Sequence, residues 1–453
     1  MNRSSPNVHE LLYASHSAGV LPITSECNLG CVFCSNRFNP PGVEAVSLPA
    51  RGVDELRDSL DQLAGATRIV LGESATRICE GEPLTHPAFE RILCMVRDRY
   101  PDIPLRVTTN GTLLTEALAR RLSSLGDIEV TVSLNSTSAA VRRALMRDDD
   151  PARVLDGIRR LHDWGVRFHG SVVVLPHGPG AEDALETVRF LGSHGARTCR
   201  LLVPGYTRCV SSPEFSVPRT AVERLARCAS EWTTMPVTVE PPIPRDLSAT
   251  IDGVIAGSPA QRAGLRRGDR ILAVDGARPE SKVHAFEAIY CGGEPVIEVE
   301  RRAGGRAQRF GVKLDKRPRE APGIVMEHDV DVSRVREAVM SAARMWSAPV
   351  FISSGLGIRA VRVAMASLGG MGGEWSTSRL FQARNSFFGG NIGCAGLLTV
   401  SDVSQVLEGL KRRGIVFDAV VIPGEFLDRR GRDITGRPYT DIESSHGVSA
   451  HIA

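Results

Sequence analysis

From residue 20 to about residue 203, short apolar runs of β type alternate with stretches whose apolar residues recur at helical spacing. The runs predict strands at 21–24, at 68–71 or alternatively 76–79, and at 105–108, 128–134, 167–175 and 198–203. Between them the periodicity predicts amphipathic helices over 53–63, 87–97, 115–125, 151–164 and 181–194. Strands alternating with helices put the chain in the α/β class, because parallel neighbours need a crossover between them.

The pattern changes after residue 203. A helix is expected over 217–232, followed by a proline-rich stretch at 236–244 that reads as a linker. The run 251–276 has the form strand, short helix capped by Ser258-Pro259, Gly264 stop, Gly268-Asp269 turn and second strand. Strands at 296–301 and 308–314 complete this mainly-β segment. The last stretch predicts a helix at 332–346, a strand at 350–353, a glycine-rich run at 385–402, a helix begun by Asp402 over 403–412, and a strand at 419–423. The expected domains are therefore 1–215, a helix and linker at 216–247, 248–316, and a C-terminal α/β domain at 317–453.

With 453 residues, 42% hydrophobic and 24% charged, the chain is long enough for two or three globular cores. Its 55 basic and 52 acidic residues leave a net charge of +3, too balanced for a nucleic-acid or polyanion partner. No apolar stretch is long enough to cross a bilayer, and the N-terminus does not read as a signal peptide, so no membrane partner and a cytoplasmic location are expected. The ten cysteines are mostly scattered singly, as in a reducing compartment.

Three cysteines are not scattered. Cys27, Cys31 and Cys34 form C-x3-C-x2-C directly after the first apolar run. Three thiolates on one short loop can hold three irons of a cubane cluster and leave the fourth open. A zinc site would want a second C-x2-C pair, which the chain lacks, and a disulfide would leave one thiol over. Phe33, just before the third cysteine, completes a pattern that resembles the radical S-adenosylmethionine (radical SAM) superfamily.

The resemblance implies a partial (β/α)6 radical SAM barrel for the first domain, a 4Fe-4S cluster on Cys27, Cys31 and Cys34, and SAM chelated to the open iron. It also implies reductive cleavage of SAM to a 5'-deoxyadenosyl radical, with a reducing partner such as flavodoxin or ferredoxin. Cys79-Glu80-Gly81-Glu82-Pro83-Leu84 resembles the family's G-G-E-P turn, with Glu80 in place of the first glycine. By that likeness Glu82 accepts the SAM ammonium. Thr109-Asn110-Gly111 resembles the family's T-N-G segment, and Ser133 and Asn135 stand where the family contacts SAM. Arg142 or Arg143 is a candidate for the SAM carboxylate, Val174 for the adenine face, and Tyr206, Arg208 and Cys209 for substrate.

The run 251–276 looks like a bacterial PDZ domain, a module able to take a protein C-terminus by strand addition. No Gly-Leu-Gly-Phe-like loop precedes Ile251. Together with the run 385–402, the chain resembles an uncharacterised family of bacterial iron–sulfur oxidoreductases that combine a PDZ domain with a radical SAM core. Those proteins carry the PDZ domain first, whereas here it follows the core. The expected function is a radical SAM enzyme acting on a small molecule. The alternatives are a peptide- or protein-modifying enzyme recruiting through the PDZ-like domain, and a non-catalytic PDZ adaptor with a redox-sensing cluster.

Overall fold

The structure is a computed structural model that describes residues 7–73, 77–175, 180–210, 216–369 and 377–453. Thr76, which begins the alternative strand 76–79, Pro176 at the end of the fifth apolar run and the first six residues lie outside these. The chain divides into two compact units. The first runs to Glu240, less residues 40–42 and 207–210.

Its elements are α1 (Val8–Ser17), β1 (Val46–Ser47), α2 (Val53–Ser59), β2 (Ile69–Leu71), β3 (Ile78–Cys79), α3 (Phe89–Arg99), β4 (Leu105–Thr109) and α4 (Glu116–Ser124). They continue with β5 (Ile128–Ser133), α5 (Ala139–Met146), α6 (Ala152–Asp163), β6 (Arg167–Val173), α7 (Gly180–Ser193), β7 (Cys199–Leu202), α8 (Arg219–Trp232) and β8 (Val237–Glu240). Six strands form one parallel sheet in the order β2-β4-β5-β6-β7-β8. Spatial order follows chain order, as in a β/α barrel left open between its first and last strands. β1 and β3 form a separate parallel pair.

Local sequence accounts for the elements. In β4, Leu105, Val107 and Thr109 are buried while Arg106 and Thr108 are half-buried, the period of two of a pleated strand. In α6, Val154, Ile158 and Leu161 recur at helical spacing and are fully buried. Each such side chain contributes about 1.5–3 kcal/mol on leaving water.

Two expectations are corrected. The run 21–24 is not a strand. Val20 makes a lone bridge to Val70, after which Pro22 has no N–H to give. The backbone turns to other partners: the Arg51 N–H donates to Ile23 O at 2.9 Å, and the Arg51 guanidinium donates to Pro22 O at 2.8 Å. The proline-rich stretch begins not as a linker but with β8, which pairs Cys199 with Val237 through Leu202 with Glu240 and closes the sheet's far edge. The prolines Pro236 and Pro241 lie outside the paired residues, where they cost no ladder bond.

The second unit contains a mainly-β fold and a C-terminal α/β fold. The former has β9 (Gly253–Val254), α9 (Pro259–Arg262), β10 (Arg270–Val274), α10 (Lys282–Cys291), β11 (Val296–Ala303), β12 (Arg306–Lys313) and β13 (Ile324–Val325). β10, β11 and β12 form an antiparallel sheet. β13 pairs antiparallel with β9 and brings Ile324 into the core with Ile251, Leu265, Ile271, Ile289 and Val299. The strand facing β9 therefore comes from beyond residue 316, where the sequence shows no long apolar run. Asp269 of the Gly-Asp turn is fully buried and takes Nε and Nη2 of Arg301, each at 2.7 Å.

The C-terminal fold has α11 (Val332–Met345), β14 (Pro349–Ser354), α12 (Ile358–Ser367), β15 (Leu380–Ala383), α13 (Val400–Arg412), β16 (Ala419–Ile422), α14 (Thr440–His446) and β17 (Ser449–Ile452). Its sheet is parallel in the order β15-β14-β16-β17. Asp402 does not begin α13. Thr399 caps it, and Asp402 is the third helical residue of a capping box. The other Asp402 oxygen takes the N–H of Ser386 at 2.7 Å, which ties the glycine-rich run to the helix.

Candidate metal and cofactor site

The cysteine loop is anchored at three places within the first unit. Before it, Ser25 N–H donates to Leu48 O at 2.8 Å and its hydroxyl donates to Cys79 O. Gly81 N–H donates to Thr24 O at 3.0 Å and Glu82 N–H to Glu26 O at 2.7 Å, so the Glu80-Gly81-Glu82 turn is tied to the entry to the loop. Within it, Asn28 is gripped by the turn after β4: its amide donates to Thr112 Oγ1 at 2.9 Å and its carbonyl accepts from Asn110 Nδ2 at 2.9 Å. Gly30 and Val32 N–H donate to Met146 O and Leu145 O at the end of α5, at 3.0 and 2.8 Å.

The β4 turn needs its glycine. Gly111 has φ +81°, and a Cβ there would lie 2.6 Å from Val154 Cγ2. The turn is fastened to Glu82 in turn. Asn110 N–H and Thr109 Oγ1 donate to the two carboxylate oxygens at 2.6 Å each, and Leu84 N–H donates at 3.2 Å. Glu82 is buried, and this burial raises its pKa to about 7 against the pull of those donors. Its carboxylate thus braces the turn of β4, beside the Cys27 thiol whose pKa it helps to raise.

The three thiols act on one another electrostatically. Burial, then the charges of Cys27 and Cys34, push Cys31 up to about 12, with Arg142 pulling the other way. Cys27 is raised by burial first, then by Glu82 and Cys34. Among the described residues no three His, Cys, Asp or Glu side chains form a site for a single metal ion. The donor set on this loop is three thiols, the ligand type that iron–sulfur clusters take, so the residues fit such a group.

The other expected contacts divide. Ser133 ends β5 half-buried, and its hydroxyl makes no hydrogen bond among the described residues. Phe33 is half-buried on the cysteine loop. Asn135 is buried at φ +60° and its side chain is committed: Oδ1 accepts from Val173 N–H at 2.9 Å and Nδ2 donates to Ser133 O at 3.2 Å. It joins the ends of β5 and β6. Arg142 is fully buried, with Nε 2.7 Å from Asp148 Oδ2 and Nη1 donating to Leu134 O, while Arg143 is exposed. Val174 belongs to the hydrophobic core. Tyr206 ends a stretch of the first unit, whereas Arg208 and Cys209 belong to the second. There the Arg208 N–H donates to Phe388 O at 2.7 Å.

Sequence reasoning did not single out Asn28, Ser25 or the Arg142–Asp148 pair. An amide between two clustered cysteines was the only available signal for the first. Glu80 carries a further peculiarity: its Oε1 is buried without a hydrogen-bond partner, and burial raises its pKa to about 8.

Asn110 follows β4 and Ser133 ends β5 at the carboxyl edge of the six-stranded sheet, where β/α folds gather functional groups, and Glu82 is hydrogen-bonded to the turn after β4. The first unit is thus a parallel β/α protein with a three-thiol loop fixed at that edge. Residues 21–191 match the radical SAM superfamily, and residues 250–302 match a PDZ domain. The chain carries a radical SAM domain followed by a PDZ domain. The superfamily implies a 4Fe-4S cluster and SAM as its cofactors.

Among relatives, GTP 3',8-cyclase of Mycobacterium sp. (strain KMS) is 31% identical over 38% of this chain and 47% of its own. GTP 3',8-cyclase of Aliarcobacter butzleri (strain RM4018) is 28% identical over 38% of this chain and 51% of its own. The FeMo cofactor biosynthesis protein NifB of Klebsiella pneumoniae is 30% identical over 34% of this chain and 36% of its own. The chain spans about half or less of the length of these curated relatives. Among solved structures, Streptococcus suis SuiB bound to precursor peptide SuiA is similar at TM-score 0.39 and 17% identity, over 49% of this chain and 48% of that one. No helix among the described residues is long and apolar enough to cross a membrane.

Proposed function

We propose that the protein is a radical SAM enzyme in which Cys27, Cys31 and Cys34 hold the 4Fe-4S cluster. The observation that carries this reading is the triple anchoring of the cysteine loop by the Gly81-Glu82 turn, the Asn110–Thr112 turn and the end of α5. These are three separate segments whose shared effect is to fix three thiols. When bound, the cluster supplies the electron for reductive cleavage of SAM.

The chain's own residues bind and orient. Glu82 holds the β4 turn in register and sets the negative field beside Cys27. The free hydroxyl of Ser133 is the SAM contact favoured at the end of β5. Asn135 serves by locking the β5 and β6 ends, and Phe33, half-buried on the cysteine loop, is the apolar contact proposed for the cofactor. The substrate is proposed to be a small molecule, with an external flavodoxin- or ferredoxin-type reductant and a cytoplasmic location.

A second reading, a peptide or protein substrate recruited through the PDZ domain, draws on one observation. β13 pairs only with β9 among the described residues, which leaves its other edge for strand addition.

The test is anaerobic reconstitution with iron and sulfide, then dithionite and SAM, with chromatography for 5'-deoxyadenosine. Product that depends on all three cysteines supports the reading. A fully assembled cluster that yields no 5'-deoxyadenosine and binds no SAM refutes it and favours the adaptor alternative. Cys27→Ala is expected to abolish both cluster assembly and SAM cleavage.

A further inference from the structure

The C-terminal fold holds features that the cluster chemistry does not use. In its sheet, β14 lies between β15 and β16. The chain leaves β14 through Gly355-Leu356-Gly357 into α12 and then forms β15 on one side; later it crosses to form β16 on the other. The helices pack on opposite faces: Val350 and Ile352 join the α13 core with Val403 and Leu407, and Phe351 joins the α11–α12 core with Val339 and Ala364. The carboxyl end of β14 is therefore the topological switch point of a doubly wound sheet, the place where such folds leave a crevice for ligands.

That end is lined by donors without acceptors. α12 is ten residues long, has Gly357 at its N-cap with no side-chain cap, and has no acid in its first turn. Its first internal bond runs from Val361 N–H to Gly357 O, so the N–H groups of Ile358, Arg359 and Ala360 precede the ladder. The Gly357 N–H is taken by Ser354 Oγ at 3.1 Å.

Ser353 supplies the independent sign of a ligand. It is only 6% exposed, yet its hydroxyl makes no hydrogen bond among the described residues. That hydroxyl stands at the helix start, 3.2 Å from where a Gly357 Cβ would lie. Gln382 is the register partner of Ser353 on β15, and its Nε2 lies 3.2 Å from a Cβ position at Gly355. The side chain of Gln382, unlike its backbone in the ladder, also makes no hydrogen bond among the described residues. The loop itself is held by Leu356 N–H donating to Gly393 O at 2.9 Å.

We propose that the carboxyl end of β14 is a binding site for the phosphate group of a small phosphorylated molecule. The phosphate is held by the first-turn N–H groups of α12, the Ser353 hydroxyl and the Gln382 amide. A helix N-terminus with a glycine-bearing approach suits a tetrahedral oxyanion, because backbone donors and the helix dipole both favour negative charge there. The neutral side-chain donors add hydrogen bonds to a charged acceptor, which are the stronger kind.

The test is equilibrium dialysis of the 453-residue, anaerobically reconstituted protein against radiolabelled inorganic phosphate, in buffer free of competing phosphate and sulfate. Saturable uptake at millimolar phosphate is expected. Ser353→Ala is expected to weaken it about tenfold, the effect of one hydrogen bond to a charged group. Gln382→Leu, on the exposed edge of β15, is expected to weaken it severalfold and decides the matter should the first variant fail to fold. Absence of saturable uptake by the folded protein overturns the proposal. So does uptake unchanged in the folded variants, or equal competition by acetate.

Discussion

Gly81→Ala is the substitution that most directly tests how the cysteine loop is held. A Cβ on Gly81 would lie 2.0 Å from Glu26 O and 2.5 Å from Ser25 C. Both are backbone atoms of the segment that enters the loop, so no side chain can swing away. Restoring contact distance requires the two segments to part by more than roughly 1 Å, which overpacking of this kind makes costly, typically about 1–3 kcal/mol. The same movement stretches the Gly81–Thr24 and Glu82–Glu26 hydrogen bonds, now 3.0 and 2.7 Å. Each contributes about 0.5–1.5 kcal/mol. Together these give a local loss of about 4 kcal/mol, or about a thousandfold in the opening equilibrium of this pair of segments. Native-state hydrogen exchange reads that quantity at the Gly81 and Glu82 amides. Iron per chain after anaerobic reconstitution reads its consequence at the cysteines and is expected to fall sharply. Gly52→Ala is the control, since a Cβ there meets nothing within 4 Å and its φ of −60° suits any residue. A Gly81→Ala protein with wild-type exchange and a full iron complement would refute the reasoning.

Three further variants probe the scaffold. Glu129 is a residue of β5, with His169 Nε2 at 3.4 Å, Arg197 Nη1 at 2.7 Å and Arg106 Nη2 at 3.4 Å. Burial alone would raise its pKa, but these partners hold it at about 2, against an ordinary 4.5. The depressed pKa contributes about 3 kcal/mol above pH 4.5, lost as pH falls through that window towards 2. Glu129→Gln should therefore lower the thermal midpoint at pH 7 and flatten its fall in acid. Asp148→Asn strips the charge partner from the fully buried Arg142, and chemical denaturation should report a loss of about 3–5 kcal/mol. In the PDZ domain, the Lys316 ammonium donates to the carbonyls of Tyr290, Gly292 and Arg317 at 3.1, 2.6 and 2.8 Å. Lys316→Met leaves the end of α10 unsatisfied and should cost about 2–3 kcal/mol in urea titration, with iron content unchanged.

What could be read from the sequence was chemistry that neighbours in the chain carry together. The three cysteines, the Gly81-Glu82-Pro83 turn and the Asn110-Gly111 turn each combine residue types whose spacing has few uses, and the fold hydrogen-bonds the cysteine loop to both turns. The anchors between them could not be read, because Asn28 and Thr112, or Arg142 and Leu134, are joined only by the fold. The errors have similar causes. Residues 21–24 are as apolar as a strand, but Pro22 and the distant Arg51 decide their backbone partners. β8 hides between prolines, and its membership of the sheet depends on β7, 35 or more residues away. The donors around Glu82 were equally hidden: besides the ammonium expected by resemblance, its oxygens receive three donors from the turns after β3 and β4.

Glu80 stands where the G-G-E-P pattern has its first glycine, and its titration offers a separate check on how closed that turn is. A glycine at this position would carry no charge; Glu80 carries a carboxylate whose Oε1 is buried without a partner. Burial raises its pKa from 4.5 to about 8, with the Arg51 guanidinium pulling modestly the other way. Because the folded pKa lies above the unfolded one, the native state binds the extra proton between pH 4.5 and 8. Stability from this group is therefore present below that window and lost as pH rises through it, by about 4–5 kcal/mol in all. Glu82, at about 7, adds a slope of the same sign, so the wild-type curve alone cannot separate the two. The difference between wild type and Glu80→Gln does. Urea midpoints measured from pH 5 to pH 9 should diverge in favour of the variant as pH rises, and parallel curves would show that water reaches the Glu80 carboxylate.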